Sequence, residues 1–287
     1  MAEANNTTIL EGENTMSISD IALGGAMRSN LNSLSLTSAL MSRTSERLAT
    51  GLKVNTAVDD PTAFFAAQSH RSRAADLAAR KDGMGEALQT LSAASNGIDA
   101  ITSLIEQAKG IVDSARSASA ADAATLATQY DEVLAQIDAL AGDSGYKGVN
   151  LLESGGTGSL TVVFNEGGTS TLDVTGFDAT STGLAVTGAT DFTDAAELDT
   201  HTTELDTALG TLRTGAKSLA ANSSVVTARQ EFTNSMIAAL QTGADNLTVA
   251  DENEESANML ALQTRQQVSV AAMGITSQAS QSILRLF

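Results

Sequence analysis

The sequence has no cysteine and no tryptophan, and its single proline is Pro61. Without cysteine there is no disulfide, no thiol nucleophile and no thiolate metal site. Aromatic residues make up 3% of the 287 residues, too few large rings for a thick α/β interior. Positive charge is scarce as well. Sixteen Lys and Arg face 34 Asp and Glu, a net charge of −18, and that balance argues against a nucleic-acid partner, which needs clustered basic side chains. No run of about 18 apolar residues occurs, so the sequence offers no membrane-inserting helix. The first basic residue is Arg28, and no apolar stretch with a basic flank precedes it. Export, where it occurs, is expected to proceed without a cleavable signal peptide.

What remains is rich in Ala, Ser, Thr, Leu and Gln, the composition of long helices packed on one another. Residues 1–16 are polar and aperiodic and read as a disordered leader. From Ser17 to Thr50 a seam of Leu31, Leu34, Ser38, Met41, Ser45, Leu48 and Leu52 alternates by three and four, with Gly51 placed to stop the helix. Leu52–Asp60 reads as a connector, and Asp60 caps a helix whose first turn holds Pro61. A long helix is predicted from about Thr62 towards Ser119, and a shorter one over Ala121–Ala141. Residues 143–193 change texture: Gly-rich, Thr-rich, with runs at 160–164 and 170–174 around a Glu166-Gly167-Gly168 turn, a hairpin signal. Phe177 and Phe192 are expected to plug this insert onto the helices. From Asp194 a second long helix keeps a strict three–four alternation from Leu198 to Leu240, with a break predicted at Gly243 and 245–249.

The last 37 residues open with Asp251 as N-cap and acidic side chains in the first turn, and carry only Arg265 and Arg285 as charges after Glu255. Their apolar stripe runs Val268, Ala272, Ile275, Ala279 and Leu286, with Ile283 beside it. Both ends of the chain are therefore helical and nearly uncharged. The predicted fold is mainly α: a long antiparallel bundle or coiled coil built from both chain ends, with a small β-hairpin insert. Two such ends expose a large apolar surface on a lone chain. That points to a self-assembling polymer whose copies cover one another.

Catalytic constellations are missing. His70 and His201 sit alone in helical stretches, and Asp59–Asp60 beside Pro61 is better explained as turn and cap than as an acid–base pair. There is no Walker loop and no GxSxG. The expectation is a protein that is no enzyme and needs no cofactor and no metal.

Particular residues carry a family likeness. Glu46-Arg47-Leu48, Thr50-Gly51, Lys53-Val54-Asn55-Thr56 and Asp59-Asp60 resemble the N-terminal pattern of bacterial flagellins. Gln263, Gln266–Gln267, Gln278, Gln281–Ser282 and the ending Leu284 to Phe287 are similar to the flagellin C-terminus, and Gly145 to Leu152 resembles the element before its hairpin. The DDP and FFAA variants resemble the alphaproteobacterial branch. The resemblance implies a homopolymer, the extracellular flagellar filament used for swimming. Residues 17–50 with 253–287 would form an inner tube, with Leu31, Leu34, Met41, Leu48, Val268, Ile275, Ile283, Leu286 and Phe287 as assembly positions. Segments 51–65 and 241–252 would be spoke connectors, centred on Asn55, Asp59, Asp60 and Pro61. Residues 66–142 with 194–240 would form the outer tube, and 143–193 the variable insert. It further implies type III export with an export chaperone, and hook-associated and cap proteins as partners. The family's receptor motif falls on Gln107 and Gly110, which depart from its arginine and glutamate. The alternatives are a hook–filament junction protein and a secreted coiled-coil adhesin.

Overall fold

The computed structural model describes residues 18–153 and 158–284. The predicted leader, Leu286 and Phe287 lie outside that set. Five helices and one hairpin follow in order: α1 Ile18–Thr50, α2 Pro61–Ala115, α3 Ala120–Asp143, β1 Ser159–Val163, β2 Thr171–Thr175, α4 Ala195–Thr248 and α5 Glu252–Leu284. The chain is mainly helical, as its composition predicts.

Local chemistry sets the helix ends. Gly51 stops α1 in the left-handed region, φ +70°, and its N–H reaches the Arg47 carbonyl at 2.8 Å. Asp60 caps α2 by accepting from the Ala63 N–H at 3.0 Å, with Pro61 in the first turn, where its missing donor costs nothing. Ser119 caps α3, and Asp194 accepts from the Ala196 N–H at the start of α4. Asp251 accepts from the Asn253 and Glu254 N–H groups at 2.9 and 3.2 Å and opens α5. The break predicted at Gly243 does not occur. Helix α4 runs through it to Thr248, because one helical glycine costs only about 1 kcal/mol and Ala244 beside it is fully buried.

The chain divides into two compact units, Ser69–Thr242 and the flanks up to Gln68 and from Gly243. In the first unit α2 and α4 run antiparallel. Ala74 and Leu77 pack with Leu240, and further along Lys109 pairs with Asp206 at 2.6 Å and Arg116 with Asp199 at 2.8 Å. The predicted seams face inward. Leu91, Ile98, Ile101, Ile105 and Val112 of α2 join Leu205, Leu212, Leu219 and Val226 of α4 in one core. Helix α3 adds Tyr130, Val133, Leu134 and Ile137 to it. The hairpin is antiparallel, with Leu160 opposite Val174 and Val162 opposite Leu172. It buries Val162 and Val174 against the helices. Phe192 stacks edge-on with Tyr130 and His201 at ring separations of 5.3 and 5.5 Å. The Phe177 ring fills the space a Cβ at Gly215 would need, so that glycine is a close-packing position.

Candidate assembly surface

In the second unit α1 and α5 pair along a heptad seam. On α1 the inward positions are Asn30, Leu34, Thr37, Leu40, Met41, Thr44, Arg47 and Leu48. Leu34, Met41 and Leu48 fall where the spacing puts them, but the alternate positions are shifted by one residue. Thr37 and Thr44 are buried, whereas Ser38, Ser45 and Leu31 face outward. Burying Thr37 is cheap because its hydroxyl donates to the Ser33 carbonyl of its own helix at 2.8 Å. On α5 the inward positions are Glu255, Met259, Leu262, Gln266, Ser269, Ala272, Met273, Thr276 and Ser277. Of the predicted stripe, Ala272 is half-buried, whereas Val268 and Ile275 are exposed. The Ile283 side chain lies outside the described set.

Several apolar side chains are consequently left open around this pair. Leu31 is 55% exposed, Leu36 63%, Leu260 66%, Val268 63% and Ile275 69%. Each costs roughly 1.5–3 kcal/mol relative to full burial. A lone globule would turn some of them inward. Here the inward seam shares Leu34, Met41, Leu48, Met259, Leu262 and Met273 with threonine, serine and glutamine.

At the base of the pair the two connectors are joined. The Ala250 N–H donates to the Gly51 carbonyl at 2.9 Å, and the Lys53 N–H to the Thr248 carbonyl at 2.8 Å, with Leu52 bridged to Val249. One turn inward, Arg47 Nη1 lies 2.8 Å from Glu255 Oε1. Arg47 closes α1 and Glu255 opens α5, and their meeting across 208 positions has no local signal in the sequence.

The named connector residues form one turn. Asp59 Oδ2 accepts from the Asn55 N–H at 3.2 Å, the Thr56 N–H at 2.9 Å and the Thr56 hydroxyl at 3.0 Å. These bonds, those from Thr56 foremost, hold its carboxyl below the usual aspartate range. Asn55 Nδ2 also donates to Glu46, and Asp60 is the α2 cap beside Pro61. So Asn55 and Asp59 share a single hydrogen-bonded turn, and neither is arranged as an acid–base pair with Asp60.

The residues weighed for chemistry fall elsewhere. His201 is buried among Tyr130, Phe192, Glu197 and Glu204, its ring nitrogens 3.6 and 3.3 Å from the two carboxylates. Both glutamates also hold the insert, Glu204 accepting from the Thr187 N–H and Glu197 from the Thr190 N–H. His201 is thus part of the insert's packing. His70 lies half-buried on α2, and Gln107 and Gly110 are exposed on α2. Among the described residues no group of His, Cys, Asp and Glu is arranged to hold a metal ion, and no helix is long and apolar enough to cross a membrane.

Comparison with known proteins gives a consistent answer at both ends. Residues 22–157 match the bacterial flagellin N-terminal helical region, and residues 202–287 match the bacterial flagellin C-terminal helical region. Flagellin FljM of Caulobacter vibrioides is 32% identical over 259 residues, 90% of this chain and 94% of that protein. Flagellin FljK of the same organism is 30% identical over 274 residues, covering 95% of this chain and 100% of that protein. A flagellin of Brucella melitensis is 30% identical over 268 residues, 90% and 95% of the two chains.

Proposed function

The chain belongs to the bacterial flagellins, the structural subunits of the extracellular flagellar filament, and from that premise we propose that α1 and α5 are its assembly element. It self-assembles as a homopolymer that serves swimming motility. The observation that supports this assignment is the set of open apolar side chains Leu31, Leu36, Leu260, Val268 and Ile275, around a seam that mixes apolar with polar residues. In a filament, neighbouring copies cover those side chains and supply the burial that one chain lacks. Met41, Leu34 and Leu48 hold the pair together within a subunit; Ile283, Leu286 and Phe287 extend the same end by sequence. The connectors 51–65 and 241–252, with the turn of Asn55, Asp59, Asp60 and Pro61, act as the spoke between inner and outer parts. The subunit leaves the cell through the flagellar type III export apparatus with an export chaperone, and meets hook-associated and cap proteins at the filament ends.

Seeded filament growth, viewed by electron microscopy, tests the assignment. Ile275→Asp places a charge at a position that is open in the free chain and covered in the polymer. The variant is expected to keep the parent's helicity by circular dichroism and to form no filaments. Growth of filaments by Ile275→Asp at the parental rate would refute the role given to α5. Gln107 and Gly110, standing where the family's receptor motif has arginine and glutamate, make this a weak agonist of the mammalian flagellin receptor. A reporter-cell response equal to that of an enterobacterial flagellin would contradict this.

A further inference from the structure

The seam between α1 and α5 contains an ambiguity that packing does not resolve. Along α1 one phase repeats Leu34, Met41 and Leu48, and the other repeats Asn30, Thr37 and Thr44. A slide of seven residues sets apolar on apolar and threonine on threonine, and keeps the same face inward. Helix α5 answers with Met259, Gln266 and Met273 in one phase and Glu255, Leu262, Ser269 and Thr276 in the other, each a mixture of apolar and polar residues. The connector bonds from Ala250 to Gly51 and from Lys53 to Thr248 pin the foot of the pair just beyond the end of α1, but they involve no side chain within the seam.

One side-chain contact within the seam is specific to that same alignment. Arg47 and Glu255 meet at 2.8 Å, with side chains 31% and 8% exposed. Glu255 is the one buried carboxylate among the described residues. Arg47 closes α1 and Glu255 opens α5, the ends at which the helix dipole favours each sign. The helices are antiparallel, so a seven-residue slide would set Glu255 opposite Leu40 or Val54. Neither carries a charge, and a carboxylate buried without its cation is strongly unfavourable. A single buried polar contact in an otherwise repetitive seam is a known way to select one register.

We propose that the Arg47–Glu255 pair is the register lock of the α1–α5 hairpin: a positioning pair that aligns Leu31 and Leu36 on one helix with Val268 and Ile275 on the other for the next copy to receive. The proposal rests on the reading that these helices are the assembly element.

The absence of native cysteine makes the register directly measurable. Counted inward from the Arg47–Glu255 contact, Thr37 lies within one residue of the level of Gln266, both facing the seam, and a seven-residue slide would bring Thr44 there instead. Thr37→Cys with Gln266→Cys therefore reports the native register, and Thr44→Cys with Gln266→Cys reports the slide. Each cysteine pair is placed in the full chain, in Arg47→Glu, and in the exchanged Arg47→Glu/Glu255→Arg, and disulfide yield is read under a mild oxidant. Arg47→Glu is expected to lose the native cross-link, and the exchanged pair to recover it. Retention of the native cross-link in Arg47→Glu would overturn the proposal. So would its loss in both variants, since the pair would then be a general support without register information. Seeded growth of the cysteine-free parent is followed in parallel. Failure there counts against the assembly reading, whereas the cross-links report the lock by themselves.

Discussion

The two units of this chain use one pattern with different occupants. In Ser69–Thr242 the three–four alternation on α4 is filled by Leu205, Leu212, Leu219 and Val226, all nearly inaccessible, and α3 and the hairpin close the remaining sides. In the α1–α5 pair the same alternation mixes Leu34, Met41 and Leu262 with Thr37, Thr44, Glu255, Gln266 and Ser269, while Leu260, Val268 and Ile275 stay outside. The periodicity makes both regions helical pairs. Where the large apolar residues sit in that period decides what each pair can do alone. The first finishes its core within the chain. The second keeps its apolar surface for other copies, and its isolated stability is correspondingly thin.

Substitution at equivalent seam positions measures that difference. Leu212→Ala removes a fully buried side chain from the larger core and is expected to cost about 2–5 kcal/mol, seen as a lower thermal midpoint of the free subunit. Met273→Ala, at a half-buried position of α5, is expected to cost about 1 kcal/mol or less in the same melt, in proportion to the area it covers. Equal losses at the two sites would mean that the terminal pair has a core of its own, and the contrast would fail.

A smaller effect is expected in the connector. Asp59 has a lowered pKa, so its contribution is fully present above the ordinary aspartate value of about 3.9 and is lost as pH falls through the lower folded value. The bonds from Asn55 and Thr56 should therefore persist at neutral pH and open only in acid. Amide exchange at Thr56 followed across an acid titration reads this directly. In Asp59→Asn the acid step should vanish; a step of the same size in that variant would remove Asp59 as its cause.

Much of this was legible in the sequence. The alternation from Leu198 to Leu240 predicts the α4 face residue by residue, because leucine and polar neighbours differ sharply in transfer free energy. The hairpin followed from its glycine turn, and the Asp60 and Asp251 caps from residue type and position. The terminal seam was harder. At 37–38 and 44–45 threonine and serine stand side by side, and their polarity is too similar to say which one turns inward. On α5 the stripe of Val268 and Ile275 stands out by its spacing, but spacing does not say whether α1 or another copy covers it. The helix through Gly243 was missed because one local penalty was weighed without the packing of Ala244. The Arg47–Glu255 contact joins positions 208 apart, and nothing in either neighbourhood announces it.

The central claim is that the outward face of α5 is open in the free subunit and covered in the polymer. Ile275→Cys in this cysteine-free chain gives one thiol at that position, and labelling it with a maleimide before and after seeded growth compares the two states. Rapid labelling of the free subunit and protection in the filament is the predicted result. A thiol that labels as fast in the filament as in the free chain would show that no neighbour covers this face, and would contradict the account.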